Sequence, residues 1–131
     1  MGSVVDLERR GERVLRVYVT GDTLCGPELR EIRERFPGVD VMITHLGGTR
    51  VLGILVTMDD RRGTDLVDLV GPATVVPVHH DDHQVFRSPL GDFVEEVGRR
   101  GHDHRLRTVA RGETVLLAAQ DGRRATENRR P

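Results

Sequence analysis

Three short runs of β-branched and aliphatic residues constrain this chain most: Val14 with Leu15, Val17, Tyr18 and Val19; residues 39–44 (VDVMIT); and residues 74–78 (TVVPV). The first follows Val4, Val5 and Leu7 across a polar turn at residues 9–12, so the N-terminal segment reads as a β-hairpin. The other two are almost continuously apolar and bounded by glycine or polar clusters, the pattern of strands covered on both faces. Between the runs the period changes. Pro27 suits a first helical turn, Leu29, Ile32 and Phe36 share one helical face, and Pro37-Gly38 closes the segment. Asp59 or Asp60 can cap a second helix carrying Leu66, Val67, Leu69 and Val70, which Gly71-Pro72 ends. Ser88-Pro89 opens a third, with Leu90, Phe93, Val94 and Val97 on one stripe. Strands alternating with helices predict an α/β fold. Residues 106–109 and 114–117 flank Arg111-Gly112 and read as a terminal strand pair. The expected organisation is one domain over residues 1–118 and a disordered tail over 119–131.

Composition narrows the function classes. With 131 residues, no Trp and 3% aromatic content, there is room for one core, built of Val, Leu and Ile. Twenty basic against 21 acidic residues leave a net charge of -1, which argues against nucleic acid as a partner. All the basic residues are Arg, so Schiff-base chemistry and a phosphate-cradling lysine are excluded. No stretch approaches the roughly 20 apolar residues of a membrane span, and no apolar leader follows Met1. With Cys25 as the single cysteine, the expectation is a soluble cytoplasmic protein.

Open α/β sheets build their sites beyond the carboxyl ends of strands, and the polar clusters here lie at those places. Asp22 follows a strand and Gly21, where its carboxylate could meet an ion or simply close an Asx turn. Residues 79–83 (HHDDH) combine three imidazoles and two carboxylates, the donors that zinc, manganese and iron accept, although a solvated loop has the same composition. His79 directly ends its strand and is the best placed ligand; His80, Asp81, Asp82 and His83 are supporting positions. His45 follows the middle strand, and Arg87 could clamp a substrate anion. His102-Asp103-His104 reads as a cationic helix end rather than a ligand pair. Cys25 precedes a helix, a position that can depress a thiol pKa, but a small packed thiol is the favoured reading.

Five segments together resemble a known family: residues 17–23 (VYVTGDT), 40–50 (DVMITHLGGTR), 56–59 (VTMD), 76–79 (VPVH) and 85–90 (VFRSPL), with Phe93. Their order and spacing are similar to the C-terminal half of the metallo-β-lactamase-fold hydrolases, in the branch containing the ascorbate-phosphate lactonase and the N-acyl-phosphatidylethanolamine phospholipase D. The resemblance implies the C-terminal half of an αββα sandwich, with a mixed sheet and three helices. It implies that Asp22 and His79 are ligands of a second metal, zinc or another divalent transition ion, serving hydrolysis of an ester, lactone or phosphodiester by metal-activated water. The family's HxHxDH loop belongs to the other half and does not precede Val14. The expectation is therefore a truncated or split hydrolase, inactive alone, that pairs as a homodimer or with a complementary N-terminal half. The alternative expectation is a non-catalytic interaction module using its exposed sheet face.

Overall fold

The computed structural model describes residues 2–22, 25–46, 50–51, 54–55, 59–78 and 90–119. Strand β1 (Ser3–Arg9) turns back through Arg10 and Gly11, both at positive φ, into β2 (Glu12–Val19). A 3-10 turn at Pro27–Leu29 leads into α1 (Arg30–Arg35), and β3 (Val41–His45) follows. Two short strands, β4 (Arg50–Val51) and β5 (Ile54–Leu55), pair with each other. Then come α2 (Asp60–Val70), β6 (Thr74–Val78) and α3 (Leu90–Arg99). The main sheet runs β1-β2-β3-β6, antiparallel at the hairpin and parallel thereafter. The fold class is thus α/β, with a mixed four-stranded sheet and three α-helices among the described residues.

Local chemistry explains the boundaries. Asp59 is extended and accepts from the Arg62 amide at 2.9 Å, capping α2, while Gly71 ends it in the left-handed region with its amide on Val67 O. Pro77 sits inside β6 because of which way its missing N–H would face. Val75 O accepts from Arg107 N on the outer side of the strand, and Pro77, two residues on, faces the same way, where the sheet ends.

Strand alternation sorts the side chains between two faces. Tyr18, Met42 and Val75 lie in register on one, and they bury against Leu66, Val67 and Val70 of α2 and Phe93 and Val97 of α3, with Leu29 and Ile32 packed at the side. A Cβ on Gly63 would come within 2.7 Å of Leu46 Cδ2 and 3.1 Å of Phe93, so a glycine at this point of α2 allows the helix its close approach. The opposite face carries Val5, Leu7, Leu15, Val17 and Ile43, outside that cluster. There the register shift of the hairpin leaves Val14 as the extra residue beside Leu15, and Val5, Leu7 and Val14 are each about half exposed, at 45%, 48% and 46%.

The expected terminal strand pair does not form. Leu106 makes a single bridge to Val75 after a 3-10 turn at Asp103–Arg105, and residues 107–119 hold no strand. Ala110 and Glu113 close a tight turn, with Glu113 N on Ala110 O, but the apolar residues beyond it meet no second strand, and Leu116 is 96% exposed. Residues 120–131, most of the expected tail, lie outside the described residues.

Candidate functional site

Because β2, β3 and β6 are parallel, their carboxyl ends share one edge of the sheet. Strand β2 runs out into Thr20, whose amide donates to Ile43 O at 3.0 Å and keeps it in step with β3. Gly21 follows at φ 62°, a left-handed turn that favours glycine, and delivers the exposed Asp22 beyond the edge. Next to it β3 ends at His45, half-buried, with Nδ1 shielded from solvent. His45 is in register with Val78, and Leu46 N donates to Val78 O at 3.0 Å. Three adjacent strands therefore bring Asp22, His45 and the residue before His79 to one place.

One buried hydroxyl ties two of these exits together. Thr20, fully buried, accepts from the His45 amide through Oγ1 at 3.0 Å and donates from the same atom to Gly21 O at 3.1 Å. The sequence gives little sign of this. A threonine between a strand and a glycine is an ordinary strand end, and its partner is 25 positions away.

His79, His80, Asp81, Asp82, His83 and Arg87 lie outside the described residues. Among the described residues, no three of His, Cys, Asp and Glu form a group able to hold a metal ion. The donor types fit such an ion: Asp22 brings a carboxylate and His45 an imidazole, as zinc, manganese or iron accept. Two donors are one fewer than the three protein ligands of a catalytic zinc site, so the described residues by themselves do not complete a shell.

The other sequence candidates fall elsewhere. Cys25 is half-buried against the core, and its thiol is pushed up chiefly by burial, helped by the Asp65 carboxylate and opposed by Arg62. This agrees with the packed thiol favoured from the sequence: loss of solvation outweighs any favourable field from the 3-10 turn and α1 that follow. His102 sits past the end of α3, as expected, with its amide on Val97 O and Nε2 2.5 Å from Asp68 Oδ1. It belongs to a helix-helix network in which Arg100 meets Asp65, Asp68 and Glu96 at 2.7, 2.8 and 2.8 Å. Among the described residues no helix is long and apolar enough to cross a membrane.

No protein-family model matches the chain. It is similar to a UPF0173 metal-dependent hydrolase of Anaeromyxobacter dehalogenans, 41% identical over 63 residues, covering 48% of this chain and 21% of the relative. Its fold is similar to that of an isothiocyanate hydrolase from Delia radicum gut bacteria, with TM-score 0.72 and 19% identity over 91% of this chain and 44% of that one. It is also similar to Igni18, a metallo hydrolase of the archaeon Ignicoccus hospitalis, with TM-score 0.67 and 27% identity over 86% of this chain and 44% of that one. The chain spans about half, or less, of the length of these proteins. Its fold is of the metallo-β-lactamase-like hydrolase type, and its sequence relatives are metal-dependent hydrolases.

Proposed function

We propose that this chain supplies the second-metal side of a metal-dependent hydrolase site, with Asp22 and His79 as ligands of a divalent transition ion, zinc being the first choice. His45 and residues 80–83 stand as supporting groups and Arg87 as a substrate anion clamp. The observation that carries the reading is the convergence of β2, β3 and β6 at one edge, which places Asp22, His45 and Val78 on neighbouring strands. When bound, the ion would lower the pKa of water and polarise the scissile group. The chain's own contribution is to hold Asp22 on a glycine turn at the rim of a rigid sheet and to keep a histidine partly shielded beside it.

Two protein ligands bind such an ion weakly, so turnover is expected to need further ligands from a partner, a second copy or a complementary chain. The substrate class we propose is a small ester, lactone or phosphodiester, in keeping with the lactonase and phospholipase branch that the sequence resembles. A non-catalytic module draws no support from the relatives above, whose descriptions are hydrolases.

Elemental analysis of the purified full chain tests the reading. The expected result is zinc, manganese or iron below one equivalent, reduced to background in Asp22→Ala and in His79→Ala. Metal retained at the same level in both variants would sink it.

A further inference from the structure

The buried hydroxyl of Thr20 touches two strand exits of the candidate site. It accepts the His45 amide at 3.0 Å and donates to Gly21 O at 3.1 Å, one residue before Asp22. A hydroxyl is unusual in doing both with one atom, because it carries one proton and two acceptor lone pairs. Its Cβ branching also limits χ1, which fixes where those lone pairs point. Thr20 itself is fully buried, so its hydroxyl is held by these two protein contacts rather than by bulk solvent.

We propose that Thr20 is a positioning residue for metal binding at this edge: its hydroxyl sets the spacing between the Asp22 carboxylate and the His45 strand end. The proposal rests on the reading of Asp22 as a metal ligand. Valine has nearly the shape of threonine and keeps the branched Cβ, but it leaves the His45 amide without its acceptor and frees the Gly21 carbonyl from its tether. The Gly21 peptide then loses this tether at its left-handed turn, and the placement of Asp22 changes with it. Serine keeps both hydrogen bonds and loses only a methyl group.

The test is a titration of the full chain with Co(II), followed by the visible d–d absorption of the bound ion. Thr20→Val is expected to bind Co(II) roughly tenfold or more weakly, the scale typical of groups that orient ligands, with an altered absorption envelope. Thr20→Ser is expected to restore affinity and spectrum. Val97→Ala, a core change in α3, serves as the control for stability alone: it should lower the melting temperature and leave Co(II) affinity unchanged. If Asp22→Asn weakens Co(II) binding while Thr20→Val does not, the positioning role is overturned and the ligand reading stands. If Asp22→Asn has no effect, or the wild-type chain shows no Co(II) spectrum, the ligand reading itself fails and the positioning role with it. A Thr20→Val loss that Thr20→Ser does not recover also overturns it, since a missing hydroxyl cannot then be the cause.

Discussion

At the residue scale, Arg16 shows how a charged side chain is kept inside a small aliphatic fold. It is 8% exposed, and its guanidinium meets Asp6 through two hydrogen bonds of 2.6 Å, donates to Pro37 O at 2.8 Å and lies 5.7 Å from the centre of the Phe36 ring. Its amide donates to the buried Asp40 carboxylate at 2.8 Å. The Asp6 hydrogen bonds raise the Arg16 pKa and outweigh the cost of burial, with Asp6 and Asp40 adding charge attraction. These contacts join β1, β2 and the chain entering β3, so they hold the hairpin against the parallel part of the sheet. Asp6→Ala leaves the guanidinium short of its partner and is expected to cost about 1.5–3 kcal/mol in chemical denaturation, the range for hydrogen bonds to charged groups. Arg16→Met, which removes the buried charge as well, is expected to cost less than Asp6→Ala. The opposite ranking would show that the ion pair contributes net stability beyond satisfying its own burial. None of this is legible in the sequence, where Arg16 is one of 20 arginines and Asp6 stands ten positions away.

At the scale of elements, α2 and α3 are joined by apolar packing beneath and by charge at the rim. Hydrogen bonds from Arg99 and then Arg100 hold the Glu96 carboxyl down at about 2. Burial pushes Asp68 up, but its contacts with His102 and Arg100 outweigh that and leave it lowered. A carboxylate with a depressed folded pKa contributes stability above its unfolded pKa, and that contribution is lost as pH falls towards the folded value. The melting temperature is therefore expected to fall as pH drops from about 5 towards 2, the interval between the ordinary glutamate range and the Glu96 value. In Glu96→Gln this part of the acid dependence should shrink, with little change in the slope at neutral pH. An unchanged acid limb in the variant would place the titrating contribution elsewhere. The two helices themselves are legible in advance, because a capping Asp, a closing glycine and an apolar stripe are local signals. Residues 106–117 show the limit of such signals. They have the composition of two strands, yet Leu106 reaches Val75 in one bridge and the remainder pairs with nothing among the described residues, because a strand needs a partner edge as well as a propensity.

At the scale of the whole molecule, the described helices pack on one face of the sheet, leaving Val5, Leu7 and Val14 clustered and half exposed on the other. Contiguous apolar surface of this kind promotes association, and a net charge of -1 offers little repulsion against it. Light scattering is expected to show species larger than a monomer, with the distribution moving to monomer in the double variant Leu7→Thr, Val14→Thr. A wild-type chain that stays monomeric at high concentration would count against it. The sequence by itself determined the α/β class, the order of the principal strands and helices, and the positions of Asp22 and His45 at strand ends, since these follow from period, caps and breaks read over a few residues at a time. Only the tertiary structure decided that β2, β3 and β6 lie side by side and parallel, that Thr20 bridges two of their exits, and that the described helices pack on one face of the sheet. These depend on contacts between residues 24 to 33 positions apart, whose cost in chain entropy is repaid only when the whole sheet forms, so no local window of the sequence contains them.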